Sequence, residues 1–159
     1  MTIDYAHARE LMVEQQIRPW DVLDIKVLDV LARLPREAFV ADAHRALAYA
    51  DVELPIGNGQ KMMKPVIEGR TLQALDLQPG DEVLEIGTGS GFLSACIGAL
   101  ARDVLSLEID PELAAAARAR LDAAFAAAGG DLLSTYEGLR DHLQVVAGDF
   151  GQPLLESDG

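Results

Sequence analysis

Cysteine is almost missing from this chain: one residue in 159, Cys96. A single thiol excludes an intramolecular disulfide and a cysteine-built metal cluster. Histidine is scarce too, and His7, His44 and His142 stand too far apart to form a short ligand motif, so no metal site is expected. Positive charge is in short supply, with 13 Lys and Arg against 26 Asp and Glu and a net charge of −13. That excess repels phosphate and argues against a nucleic-acid partner. No run approaches the ~18 uninterrupted apolar residues of a membrane span. The opening MTIDYAHARE lacks the basic-then-apolar order of a secretory leader. What is there is a chain of one domain's length, 50% hydrophobic and 25% charged, which suits a packed core. The expectation is a cytoplasmic protein of a reducing compartment.

The first fifty residues read as helical. Asp4 is placed to cap a helix over 3–16, with Pro19 expected to end it. Asp24 is placed to cap a second helix to Leu34, with Ile25, Leu28, Leu31 and Ala32 at helical spacing. A short helical piece fits 42–47. Residues 50–65, ADVELPIGNGQKMMKP, read as a loop, and they hold two of the three lysines, Lys61 and Lys64. A helix from Val66 to Leu75 follows.

The pattern then alternates. EVLEI (82–86) predicts a strand, 87–91 a glycine turn and 92–101 a helix. DVLSLEI (103–109) predicts a second strand, and Pro111 opens an Ala-rich helix that Gly129-Gly130 ends. LQVVA (143–147) predicts a third strand. Strand, helix, strand, helix, strand implies parallel pairing by right-handed crossovers, half of a doubly wound α/β sheet.

The central motif is Glu85-Ile86-Gly87-Thr88-Gly89-Ser90-Gly91, between a strand and a helix. Glycines allow a sharp turn and close backbone approach, and the helix start behind them favours an anionic group. A dinucleotide fingerprint needs its third glycine one place later, where Phe92 stands. Glu85 suits a cationic amine, so the motif favours an S-adenosylmethionine (SAM) site over a dinucleotide site or a turn without ligand. Glu108, ending the second strand beside Ile109, is placed for a ribose diol, its alternative being a solvated acid. Asp149 and Phe150, after the third strand, are placed to meet an adenine, or form an ordinary turn. Lys61 and Lys64 are candidate binders of an anionic substrate or plain loop residues. Cys96, among apolar neighbours in a helix, reads as a buried, inert thiol.

Beyond these motifs, Met12-Val-Glu-Gln-Gln-Ile-Arg18, Leu34-Pro-Arg-Glu-Ala-Phe-Val40, Ala48-Tyr-Ala-Asp51, Leu54-Pro-Ile-Gly57, Gly59-Gln60 and Val83-Leu-Glu-Ile-Gly-Thr-Gly-Ser-Gly91 together give a family likeness. The chain resembles the protein-L-isoaspartate (D-aspartate) O-methyltransferases, class I SAM-dependent enzymes of protein repair. The resemblance implies a Rossmann-like, mostly parallel sheet with a helical extension and substrate loop over 1–65 and a SAM-binding half-domain over 66–159. It implies methyl transfer from SAM to the carboxylate of isoaspartyl residues in damaged proteins or peptides, while the charge and the lack of a long apolar run give the expectation of no nucleic acid or membrane partner. It places Gly87, Thr88, Gly89, Ser90 and Gly91 along the cofactor, with Glu85 near its amino-acid end, Glu108 and Ile109 at the ribose, and Asp149 and Phe150 at the adenine. Two departures accompany it. The family reads Thr-Ile-Ser, one residue, then Pro where this chain has Lys61-Met62-Met63-Lys64-Pro65, so the catalytic-site serine falls on Met63. That opens an alternative: a SAM-binding relative with a different substrate or no isoaspartyl activity, Lys61 or Lys64 standing in as carboxylate binder. The family also continues with further strands, so the chain reads as C-terminally shortened, with 82–86 left as an open sheet edge.

Overall fold

The computed structural model describes residues 2–127 and 142–148. Helix α1 runs Tyr5–Met12, and the Asp4 carboxylate caps it by accepting the His7 N–H at 3.1 Å. The helical path does not end ahead of Pro19 as the sequence suggests. It continues through a π turn over Val13–Ile17 and a 3-10 turn over Arg18–Trp20, and stops at Asp21, φ 64°. Pro19 sits in the opening of that 3-10 turn, where a missing N–H leaves no bond unmade. Helix α2, Ile25–Arg33, is capped by Asp24 through the Lys26 N–H, and buries Val27, Val30 and Leu31. Two 3-10 segments follow, Arg36–Phe39 and Asp42–Leu47.

The expected loop at 50–65 is an antiparallel hairpin: β1, Leu54–Gly57, pairs with β2, Gln60–Met62. Asn58 and Gly59 turn it with φ of 52° and 74°. An Asn-Gly pair with both residues at positive φ is a strong two-residue hairpin signal. It escapes the sequence reading because the strands are too short to alternate and Pro55 sits in one of them. Leu54, Ile56 and Met62 point inward and are buried.

Helix α3 spans Pro65–Leu75. The sheet then forms as expected: β3 Glu82–Ile86, α4 Phe92–Leu100, β4 Asp103–Glu108, α5 Pro111–Ala127 and β5 Leu143–Ala147. The strands are parallel in the order β3-β4-β5, with Val83 opposite Val104 and Val104 opposite Leu143. Both crossovers step the same way across the sheet, so right-handedness puts α4 and α5 on one face. That face carries Val83, Glu85, Val104, Ser106 and Leu143. On the other, Leu84, Ile86, Leu105 and Val146 are 58%, 63%, 39% and 42% exposed. Among the described residues no helix covers them, and β3 forms one edge of the sheet.

One continuous core joins the N-terminal helices to the sheet, from Met12 and Ile17 through Phe39 and Phe92 to Leu143. Phe39 meets Phe92 edge to face, ring centres 5.6 Å apart. Cys96 lies inside this core, fully buried, and burial pushes its thiol well above the ordinary range. A thiol reagent is therefore expected to leave the native protein unlabelled and to label one site after denaturation. Rapid labelling of the native chain would contradict this packing.

Candidate active site

The site is built where β3 and β4 end. After Ile86 the backbone turns through Gly87, Gly89 and Gly91 at φ 92°, 58° and 92°, conformations that strain other residues. The Gly87 N–H donates to the Leu107 carbonyl at 2.7 Å, locking the turn onto β4. At Gly91 a side chain would be crowded. An added Cβ would lie 3.3 Å from the Ala117 Cβ, so α5 packs directly against the loop.

Beneath the loop runs a chain of hydroxyls. Thr88 Oγ1 and Ser106 Oγ are 2.6 Å apart, and Ser106 donates to Glu85 Oε1 at 2.5 Å. Ser106 has one proton to give, so Thr88 supplies the other contact as donor. Ser94 donates to the same Glu85 oxygen. Burial raises the Glu85 carboxyl, the two hydroxyls oppose that shift, and the nearby Glu108 charge adds to it.

Glu108 is 5% exposed and occupies the switch from β4 to α5. Its two oxygens accept the Gly89 N–H at 3.0 Å and the Asp110 N–H at 3.1 Å. The carboxylate thus ties the glycine loop to the start of α5. Each oxygen accepts one of these bonds, leaving acceptor capacity toward the crevice.

The hairpin forms the roof. Asn58 Nδ2 donates to Asp110 Oδ2 at 2.5 Å, holding the turn to the α5 start, and that contact lowers the Asp110 carboxyl. The crevice between roof and loop has two parts. One, about 370 Å³, is lined by Ile56, Gln60, Lys61, Gly87, Gly89, Glu108, Ile109, Asp110 and Leu113. The other, about 330 Å³, is lined by Lys61, Met62, Met63, Glu68, Glu85, Thr88, Ser90 and Leu93 with the same glycines.

The residues singled out in the sequence divide accordingly. Glu108 and exposed Ile109 line the first part; Glu85, Thr88, Ser90 and Met63 line the second; Lys61, Gly87 and Gly89 line both. Gly91 lies behind the loop against α5. Lys64 precedes α3 as an exposed residue and does not line either part. Asp149 and Phe150 lie outside the described residues. The sequence reading missed Ser94 and Ser106, Asn58 and Asp110, and Glu68, which lies buried beside Arg36. Asn58 carried a sequence signal in its Gly59 neighbour, and Asp110 carried one in the Pro111 that follows it at a helix start; Ser94, Ser106 and Glu68 carried none.

A parallel sheet with a glycine turn after its first strand, an acid after its second and a crevice over both defines a Rossmann-like cofactor-binding α/β fold. The family model for protein-L-isoaspartate(D-aspartate) O-methyltransferase (PCMT) matches residues 7–152, and the chain belongs to that family. The protein-L-isoaspartate O-methyltransferase of Aeropyrum pernix is 41% identical over 153 residues, covering 94% of this chain and 54% of that protein. The enzyme of the same name from Methylorubrum extorquens is 45% identical over 120 residues, 76% of this chain and 53% of that protein. The fold matches a crystal structure of the Plasmodium falciparum member in complex with S-adenosyl-L-homocysteine, with TM-score 0.71 at 18% identity over 95% of this chain and 66% of that one. The chain spans about half the length of the curated relatives it matches.

Proposed function

We propose that this chain carries the cofactor half of a SAM-dependent methyltransferase acting on the carboxylate of L-isoaspartyl (D-aspartyl) residues in damaged proteins. The observation that carries the reading is the buried Glu108 carboxylate, held beside the glycine turn and open to a roofed crevice. Ribose hydroxyls donating to Glu108, and an adenosine edge against Ile109, fit that part. Asp149 and Phe150 belong to the same proposed set. Glu85, with Thr88 and Ser90, fits the amino-acid end. The crevice donors and acceptors thus suit S-adenosylmethionine, which supplies a methyl group already activated on a sulfonium.

An acceptor carboxylate is itself the nucleophile, so little proton transfer is asked of the protein. The chain's own residues act by binding and alignment, where most of the rate in such a reaction arises. Lys61, on the border of both crevice parts, brings positive charge to the acceptor side of a chain with net charge −13. The division of roles follows 1–65 for the roof and acceptor side and 66–159 for cofactor binding. Among the described residues no helix is long and apolar enough to cross a membrane. The buried lone thiol fits a cytoplasmic setting.

A second reading has its own observation. Met63 replaces the family serine, and with Met62 and Leu93 it gives the acceptor side an apolar lining without the serine hydroxyl. That favours a different acceptor on the same cofactor site. One assay separates the two: labelled SAM offered with an isoaspartyl peptide and its aspartyl twin, with SAM binding measured by calorimetry. Base-labile methyl label on the isoaspartyl peptide alone is the expected result. Binding without such label favours the second reading, and no binding would overturn both.

A further inference from the structure

Arg36 is the least expected residue in the core. It opens a 3-10 turn, is 1% exposed, and spends every edge of its guanidinium. Nε donates to the Ala48 carbonyl at 2.7 Å. One terminal nitrogen donates to the Glu68 carboxylate, itself 2% exposed in the first turn of α3. The other donates to the Met63 carbonyl at 2.9 Å. Its Cζ lies over the Phe92 ring, 5.0 Å from the ring centre. Its backbone N–H is taken by the Tyr49 hydroxyl at 3.1 Å.

Two of these partners, Met63 and Glu68, line the acceptor part of the crevice. A third, Phe92, follows Gly91 directly, so its ring is carried by the first residue of the helix behind the glycine turn. These are separate stretches of chain, and the guanidinium contacts all three at once. A buried charge is a poor source of net stability, because removing it from water offsets most of the gain from pairing. Packing alone explains little here, while geometry explains more: a planar fork with a stacking face satisfies three directions at fixed angles, and an ammonium does not.

We propose that Arg36 is a positioning residue, whose guanidinium sets the Met63 backbone, and so the acceptor wall, at a fixed place relative to the glycine turn. The inference rests on the methyl-transfer reading for its kinetic consequence, but not for its structural one. Arg36 lines neither part of the crevice; it acts through Met63 and Glu68, which do, and through Phe92 behind the glycine turn.

The test compares the wild-type chain with Arg36→Lys, and with Glu68→Gln as the milder lesion of the same anchor. Hydrogen exchange of residues 60–64 and 87–91, SAM affinity by calorimetry, and kcat and KM for the isoaspartyl peptide are measured at a temperature where each variant is folded. Arg36→Lys is expected to exchange ~10-fold faster or more over 60–64, with 87–91 and SAM affinity within about threefold of wild type. Its kcat falls ~10–100-fold at little changed KM, the scale of a ~1 Å misalignment. Glu68→Gln, itself on the crevice lining, is read by exchange alone: it raises exchange over 60–64 by less than Arg36→Lys does, and that readout carries the test if Arg36→Lys does not fold. Unchanged exchange over 60–64, or a uniform rise across the whole chain, overturns the proposal. If the wild-type chain transfers no methyl at all, the functional reading fails, and the exchange measurements still decide the role of Arg36.

Discussion

Glu108→Ala is expected to weaken SAM or S-adenosylhomocysteine binding by about 100-fold or more. Two effects add. The carboxylate is the proposed acceptor of the ribose hydroxyls, and bonds to a charged acceptor contribute roughly 1.5–3 kcal/mol each. The same carboxylate accepts the Gly89 and Asp110 N–H groups, so its removal also frees the glycine loop from the start of α5. A loss of ~3 kcal/mol corresponds to about two decades in affinity. Glu108→Gln should fall between wild type and Ala. Its amide keeps one oxygen for one N–H, but presents an NH₂ to the other, which is itself a donor. Calorimetry with S-adenosylhomocysteine checks the series. Affinity within threefold of wild type in Glu108→Ala would remove Glu108 from the cofactor site and leave it as a loop tie.

The second large effect concerns stability. Gly91→Ala is expected to destabilise the fold by ~2–4 kcal/mol. Part of this is backbone strain, about 1–2 kcal/mol for a side chain forced to positive φ. The rest comes from the contact at 3.3 Å between the new Cβ and that of Ala117, on a helix that cannot retreat without disturbing the core. Gly87→Ala separates the two contributions. It has the same φ of 92°, yet its Cβ would meet nothing within 4 Å. It should therefore lose only the strain, ~1–2 kcal/mol. Denaturant midpoints with matched slopes give both values. Equal losses at the two positions would mean that α5 yields freely, and that the loop is not clamped as the structure places it.

These two predictions also mark where the sequence was legible. The glycine spacing, the strand before it and Glu108 on the next strand could all be read from order alone. A short run such as EVLEI beside a glycine turn has few alternatives once a helix pattern follows it. The hairpin is different. Leu54, Ile56 and Met62 are too few to establish a period, and Pro55 argues against a strand, so the segment read as a loop although Asn58-Gly59 turns it. The run past Pro19 failed for a related reason. A proline ends an α-helix, but it fits the opening of a 3-10 turn, and local propensity does not say which will follow.

By itself, then, the sequence determined the order of strands and helices from residue 82 onward, the parallel half-sheet, the glycine turn and the acid beside it, because each depends on neighbours within a few residues. Membership of the family also followed from residues quoted in order along the chain. The tertiary structure alone decided what those elements enclose. It brought Asn58 onto Asp110 to close the roof, and Ser94 and Ser106 onto Glu85. It also laid Arg36 between Met63, Glu68 and Phe92. None of these pairings has a sequence period. Each exists because burying the apolar faces of separate elements in one core leaves polar groups inside that must find partners there, and only the finished packing says which ones are within reach.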